Sequence, residues 1–255
     1  MREFFEKLTT EWWGITLIVV AAVVVWVLLS ALLYRRFFKR FYDVLLSGLA
    51  LIVLSPLFLI LTITGSIVMR GNPFFVQERP GRKGKDGNEK IFKLIKFRTM
   101  SNQKDKDGNF LPDQVRLNKY GRMLRSTSLD EIPELINIIK GDMSIVGPRP
   151  LAVQYLEYYT EEEHRRHNVL PGLTGLAQIH GRNCVNWPER FAYDLKYVDN
   201  FSLFMDINII FKTVVKVLKR SDVAVRSTGV IVDFDEYRRM ENEKELKDDK
   251  TSDKG

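Results

Sequence analysis

The stretch LALIVLSPLFLIL, residues 49–61, decides on which side of a membrane the rest of the chain lies. It sits inside an apolar segment, residues 44–69, that is long enough to cross a bilayer at about 1.5 Å per residue. Pro56 stands near its middle. A proline has no N–H to donate, and its ring clashes with the carbonyl four residues back, so a helix kinks or breaks there. Ser55 is placed to hydrogen-bond a carbonyl that the proline frees, which lowers the cost of irregular backbone in lipid. Both flanks are basic. Arg35, Arg36, Lys39 and Arg40 precede the segment; Arg70, Arg79, Arg82, Lys83, Lys85, Lys90, Lys93, Lys96 and Arg98 follow it, against Glu78, Asp86 and Glu89. Basic flanks stay in the cytoplasm. A helix that dips in, turns at Ser55-Pro56 and returns satisfies both flanks; a proline-kinked spanning helix satisfies one.

Working outward, residues 14–33 carry no charge over twenty positions, about the 30 Å of a hydrocarbon core. This run reads as a transmembrane helix. Glu3, Glu6 and Glu11 outnumber Arg2 and Lys7 before it, so residue 1 is expected outside and residue 35 in the cytoplasm. The basic n-region of a signal peptide is missing, and the run is too long for an h-region.

The 255 residues are 45% hydrophobic and 28% charged, which suits a membrane-attached chain with a water-facing part. The net charge of +7 favours anionic partners (phosphates, anionic lipid or nucleic acid), although positive-inside flanks and solvated lysines account for such a value equally well. Cys184 is the only cysteine, so no disulfide framework exists, in keeping with a reducing compartment.

The expected organisation is a short segment 1–13, a transmembrane helix 14–34, a basic flank with a re-entrant helix 35–70, a water-facing domain 71–221 and a C-terminal segment 222–255. Within the domain, NPFFVQERPG and EKIFKLIKFRTM flank GRKGKDGN and predict a β-hairpin with a long basic turn. SNQKDKDGNFLPD reads as a loop. SLDEIPELINIIK has apolar residues at 129, 132, 135, 136 and 139, a helical spacing, with Gly141 placed to stop it. YLEYYTEEEHRRH predicts a helix and VLPGLTGLAQIHGRN a glycine-rich loop. DINIIFKTVVKVLKR, with Lys212, Lys216, Lys219 and Arg220, predicts an amphipathic helix, either on an anionic membrane face or packed in a core. From Asp235 the chain is charge-dense and is expected to be disordered.

Ser128 and Glu131 have the spacing of a capping box, which puts Asp130 in a first helical turn where the dipole favours an ionised carboxylate. That is either plain capping or a site for phosphate chemistry, with the aspartate as nucleophile or metal ligand. Arg98 in FRTM, Arg125 five residues before the acidic pair, Arg149 in GPRP and Arg182 in HGRN are either surface arginines or rigid bidentate phosphate ligands. Asp206 is a lone carboxylate beside Phe204, Met205 and Ile207, and reads as a helix N-cap or an acidic site residue. There is no G-x-x-x-x-G-K-[ST] or G-x-G-x-x-G string, and His164, His167 and His180 are too scattered for a readable zinc site.

In order along the chain, the Ser-Pro of the hydrophobic hairpin, KFRTM, RSTSLDEIPELINIIKGDMSIVGPRP, PGLTGLAQIHGRN and YDLKYVDN resemble the bacterial sugar transferases, the monotopic polyprenyl-phosphate phosphoglycosyl transferases. The resemblance covers residues 36–221. It implies an α+β membrane protein: one N-terminal transmembrane helix, a re-entrant helix broken at Ser55-Pro56, and a mostly helical cytoplasmic domain with a β-hairpin and interfacial amphipathic helices. It further implies transfer of a sugar 1-phosphate from a UDP-sugar to undecaprenyl phosphate, with release of UMP, at the cytoplasmic face of the bacterial inner membrane. Asp130 then maps to the nucleophile and a ligand of Mg²⁺, and Glu131 to its orienting partner. Arg98, Arg125, Arg149, Arg182 and Asp206 map to substrate or phosphate contacts. Membrane lipids are expected partners and nucleic acid is not. Residues 14–33 exceed the smallest members' pattern and are read as an anchor or a homodimer contact. The competing readings are a non-catalytic anchored protein that binds anionic lipid or nucleic acid, and an aspartyl-phosphate hydrolase, whose D-x-D-x-[TV] string is missing.

Overall fold

The computed structural model describes residues 12–181, 186–219 and 232–252. Helix α1 (Trp12–Leu32) is followed by one π-helical turn, Tyr34–Phe38, and then by α2 (Lys39–Val68). Two stretches, Trp12–Leu32 and Tyr34–Val68, are long and apolar enough to cross a membrane, with mean hydropathy of 2.9 and 2.7. Trp26 and Ser30 of α1 hydrogen-bond the Tyr42 hydroxyl at 3.0 and 2.8 Å, so the two helices are tied by polar contacts between otherwise apolar faces.

Helix α2 runs through Pro56 without leaving helical geometry. The reason is local. Pro56 deprives the Ile52 carbonyl of its N–H partner, and the Ser55 hydroxyl donates to that same carbonyl at 2.8 Å. The expected break is therefore a proline within a continuous helix, not a loop. Both limbs of α2 touch the same domain. Arg40 donates to the Ile138 and Ile139 carbonyls at 2.6 and 2.8 Å, and Asp43 accepts from the Ile145 N–H at 3.0 Å. On the other limb, the Tyr120 hydroxyl donates to the Leu61 carbonyl at 2.9 Å. Leu54, Leu57, Phe58 and Leu61 pack on the domain's core with Phe92, Leu94, Phe97, Leu124, Ile138 and Met143.

The hairpin forms as the sequence predicts. β1 (Phe74–Lys83) pairs antiparallel with β2 (Glu89–Phe97), in register from Phe74↔Phe97 to Pro80↔Ile91, with a bulge before Lys83↔Glu89. Helix α3 (Asp113–Arg116) and α4 (Lys119–Thr127) follow the polar loop. Asn118 caps α4 by accepting from the Gly121 N–H at 2.8 Å. A Cβ on Gly121 would lie 1.9 Å from the Thr99 carbonyl, so only glycine lets α4 meet the end of β2 this closely. α5 (Glu134–Lys140) stops at Gly141, whose φ of 96° is the expected left-handed cap.

The second half departs from expectation in three places. The helix predicted over residues 155–167 is broken into a 3₁₀ segment (Val153–Tyr158), α6 (Glu161–His164) and another 3₁₀ turn (Arg165–Asn168), because the Thr160 capping box starts a new helix inside it. The glycine-rich loop is ordered: β4 (Gly172–Thr174) pairs in parallel with β3 (Ser144–Val146), and α7 (Leu176–His180) follows. Its glycines serve close approach, since a Cβ on Gly172 would stand 2.1 Å from the Gly147 nitrogen. After α8 (Trp187–Asn200) and α9 (Leu203–Lys219), the charge-dense tail is not disordered but forms α10 (Phe234–Ser252). Phe234 is fully buried among Tyr155, Tyr159, Trp187 and Phe191, and Arg238 pairs with Glu163. One aromatic anchor overrides the charged composition. α9 is the expected amphipathic helix: it buries Asp206 and Ile209 while Phe204, Ile207, Phe211 and Leu218 stand exposed beside Lys212 and Lys219.

Candidate active site

Asp130 and Glu131 occupy a single 3₁₀ turn, Leu129–Glu131, between α4 and α5. Ser128 takes a left-handed φ of 56° and its side chain does not cap this turn, so the capping box does not form. Pro133 stands at the N-cap of α5, which moves the α-helical start to Glu134. With no N–H on Pro133 the chain tightens into 3₁₀ geometry before it.

Around this turn the charges are layered. The Lys96 ammonium lies 3.2 Å from Glu131 Oε1 and 2.9 Å from Glu134 Oε1, and Arg149 donates to Glu131 Oε1 at 2.9 Å. Glu131 is thereby fixed by two cations. Asp130 feels Lys96, Arg149 and Arg125 as charges without an ion pair to a described side chain. Burial, and then the neighbouring Glu131 charge, push the Asp130 carboxyl above its ordinary range despite those cations. The helix-dipole depression expected from sequence is absent, because no α-helix begins at Asp130. Burial and Glu131 likewise push Glu134 up to about 7. Glu131 holds Arg149 firmly protonated.

Arg149 is positioned from behind. Pro148 and Pro150 restrict its backbone, and Arg166 donates to its carbonyl at 2.8 Å. Arg166 itself is buried, bonds Asp194 Oδ2 through Nη2 at 2.7 Å and Nε at 3.1 Å, and reaches the Tyr159 hydroxyl at 3.2 Å. Burial disfavours its charge, but Asp194 and Tyr159 together more than restore it. Arg125 Nε donates to the Thr99 hydroxyl at 3.0 Å, which aims it alongside the dyad.

The other sequence candidates lie elsewhere. Arg98 directly follows β2, and its backbone N–H bonds the Pro73 carbonyl at 2.7 Å, at the hairpin end nearest α2. Asp206 accepts from the Tyr34 hydroxyl at 2.6 Å, Lys39 at 2.7 Å and the Tyr197 hydroxyl at 2.9 Å. It joins the start of the second membrane segment to α8 and α9, and is not an N-cap. Tyr197 also donates to the Val146 carbonyl at 2.9 Å, three residues before Arg149, so Asp206 is linked to the site through β3. Ser55 and Pro56 lie in α2, and Arg182 lies outside the described residues.

Sequence reasoning missed Lys96, Glu134, Asn137, Arg166 and Asp194. Some signal existed. Lys96 shares strand parity with buried Phe92 and Leu94, which aims it inward. Glu134 shares the apolar face of α5 with Leu135 and Ile138. Asn137 sits on the same face, donating to the Lys93 carbonyl at 2.8 Å and accepting from the Ile95 N–H at 3.0 Å, and so seals α5 to the edge of β2.

Among the described residues no three His, Cys, Asp or Glu side chains converge as a metal cage. Mg²⁺ needs no such cage, since one or two carboxylates and substrate phosphates suffice. Asp130, which has no ion pair among the described residues, fits that role; Glu131, engaged by Lys96 and Arg149, does not. Among the described residues the arrangement offers one dyad carboxylate without an ion pair, on which Lys96, Arg149 and Arg125 act as charges. That suits attack on a phosphorus atom and stabilisation of the charge it carries.

A family model described as bacterial sugar transferase matches residues 34–220. A sugar transferase of Bacillus subtilis, EpsL, is 49% identical over 181 residues, which cover 71% of this chain and 87% of the relative. The exopolysaccharide production protein ExoY of Sinorhizobium fredii is 42% identical over 193 residues, covering 69% and 83%. The UDP-glucose:undecaprenyl-phosphate glucose-1-phosphate transferase of Klebsiella pneumoniae is 40% identical over 189 residues; these cover 70% of this chain but 40% of that longer protein.

Proposed function

Because the chain belongs to the bacterial sugar transferase family, we propose that it moves a sugar 1-phosphate from a UDP-sugar to undecaprenyl phosphate and so starts assembly of an exopolysaccharide or other glycoconjugate. In the first step an Asp130 oxygen attacks the β-phosphorus. The bond from that phosphorus to the bridging oxygen breaks, and UMP leaves with the electron pair. In the second step an oxygen of the lipid phosphate attacks the aspartyl phosphosugar, the acyl-phosphate bond breaks, and the Asp130 carboxylate is regenerated. The sugar ends on a lipid diphosphate. Two substrates of opposite polarity are thus handled in turn. Glu131, held by Lys96 and Arg149, orients the dyad, while Arg149, Arg125 and Arg182 meet phosphate oxygens. Mg²⁺, when bound, offsets diphosphate charge.

The observation that carries this reading is the asymmetry of the dyad: Glu131 is ion-paired twice, and Asp130 is left for chemistry. The attachment of both α2 limbs to one domain supports a re-entrant helix. Arg40 and Leu61 are about 32 Å apart along a straight helix, and a helix carried through the bilayer away from the domain keeps only one such end on it. The exposed apolar face of α9 supports contact with the lipid interface, and the basic residues on both flanks of α2 support a domain on the cytoplasmic side.

The test is a UMP-release assay over a panel of UDP-sugars. Without lipid acceptor, the protein should release about one equivalent of UMP in a burst and gain the mass of one sugar phosphate on the peptide bearing Asp130. Asp130→Asn should abolish both and leave the fold intact. An adduct that persists in Asp130→Asn, or that maps to Glu131, refutes the assignment.

A further inference from the structure

A third carboxylate stands behind the dyad. Glu134, the first residue of α5, is buried, and its Oε1 lies 2.9 Å from the Lys96 ammonium. The approach is one of charges, since Oε1 has no partner in hydrogen-bond geometry among the described residues. The same ammonium lies 3.2 Å from Glu131 Oε1, an oxygen that Arg149 also reaches at 2.9 Å. Glu134 is thus the nearer of the two anchors of Lys96, and the one that Arg149 does not pair with. The meeting is built into the packing. One turn along α5, Asn137 donates to the Lys93 carbonyl and accepts from the Ile95 N–H, so the helix is held in register with the strand on which Lys96 follows Ile95.

Stability does not account for Glu134. A buried ion pair gains little over an apolar pair of the same size, and the neighbours of Glu134 in α5, Leu135 and Ile138, are buried and apolar. Burial and the Glu131 charge oppose its ionised form, while Lys96 and Arg149 favour it.

We infer that Glu134 is a positioning residue for Asp130: it holds Lys96 on the Glu131 side of the turn and so keeps the ammonium off the attacking carboxylate. The inference rests on the reaction proposed above, in which Asp130 is the nucleophile. Lys96 already acts on Asp130 as a charge. A lysine ammonium is a point charge with three donors on a flexible four-carbon stem, so it settles where acceptors are nearest. Without Glu134 its remaining ion-pair partner among the described residues is one Glu131 oxygen, shared with Arg149, and Asp130 is the adjoining carboxylate with no ion pair of its own there. An ammonium bonded to Asp130 would stabilise the carboxylate, make it less basic and occupy the lone pair that must reach phosphorus.

The test uses the full-length protein in nanodiscs at pH 8, where Glu134 is mostly ionised because its carboxyl is pushed up to about 7. UMP release and the Asp130 adduct are followed in a single turnover without lipid acceptor. Glu134→Gln keeps the shape and removes the charge. It should slow adduct formation by about tenfold or more, leave the half-saturating UDP-sugar concentration within about threefold, and melt at or above wild type. Glu134→Asp, which restores the charge, should recover part of the rate. In a Lys96→Met background, itself slow, Glu134→Gln should cost no further rate, because its effect passes through Lys96. A wild-type or faster rate in Glu134→Gln overturns the inference and leaves the transferase reading standing. So does an equal slowing in the Lys96→Met background. A melting temperature that falls with the rate, with no recovery in Glu134→Asp, overturns it too, because Glu134 is then structural. An unaltered protein that forms no adduct on Asp130 removes both the inference and the transferase reading.

Discussion

Glu131 is met by two cations of different geometry, Lys96 and Arg149, and the difference has consequences. Lys96 is a point charge shared with Glu134; Arg149 is a planar fork set by two prolines and by Arg166. Arg149→Lys should therefore lower kcat/KM for UMP release by on the order of 10²-fold, as expected for one directed charge contact at a reacting phosphate. Near-normal kcat/KM in that variant, measured with UDP-sugar well below KM, returns Arg149 to a surface role. Glu134 gives a pH signature. Its folded-state carboxyl is pushed up to about 7 from an ordinary value of 4.5, so between these limits the folded state holds a proton that the unfolded chain has released. Stability from this group is complete below pH 4.5 and lost as pH rises to 7. Glu134→Gln keeps the shape and removes the titration. At pH 8 it should gain up to about 3 kcal/mol over wild type, reduced by whatever Lys96 contributes, and at pH 4.5 almost nothing. Melting midpoints at the two pH values check the difference, and equal shifts at both exclude a buried titrating Glu134.

At the scale of elements, α2 and the dyad turn illustrate the same effect of proline. Each proline removes a donor, and the surroundings decide what replaces it. In α2 the Ser55 hydroxyl fills the gap and the helix continues; before α5 the Ile132 N–H donates to the Leu129 carbonyl at 3.3 Å instead, and the chain tightens into the turn that carries Asp130 and Glu131. Ser55 and Pro56 were legible as a compensated pair in the sequence. The dyad's departure from an α-helical first turn was not, because Ser-x-x-Glu spacing cannot reveal that Ser128 adopts a left-handed φ. The re-entrant reading makes a labelling prediction. Arg36 and Lys90 are both exposed and flank α2, so single cysteines at these positions, with Cys184 replaced, should both resist an impermeant thiol reagent added to intact cells. Labelling at position 90 alone means that α2 crosses. In the variant Pro56→Ala, a shift of position 90 toward outside labelling identifies the proline as what returns the helix.

Across the whole molecule, the domain is closed by a segment far from it in sequence. Phe234 fills the centre of a cluster with Tyr155, Tyr159, Trp187 and Phe191; α8 also carries Asp194 and Arg190, and the Tyr159 hydroxyl accepts from Arg166. Phe234→Ala should cost about 3–5 kcal/mol as a large-to-small core change. It should also lower activity at temperatures where the fold survives; chemical denaturation and UMP release measured together check this, and unchanged stability removes α10 from the core. The sequence by itself determined the features that local chemistry controls: two apolar helices, the basic flanks, the period-two hairpin, the Gly141 stop, the adjacent dyad and the family. These depend on the polarity and stereochemistry of neighbouring residues. Only the tertiary structure decided which charges meet. Lys96 comes from β2, Glu131 from the 3₁₀ turn, Arg149 from the loop after β3 and Asp194 from α8, and their energies depend on separations of a few ångströms between groups tens of residues apart. The same holds for Asp206, which reads as a lone carboxylate along the chain and becomes the acceptor of Tyr34, Lys39 and Tyr197 once the chain is packed.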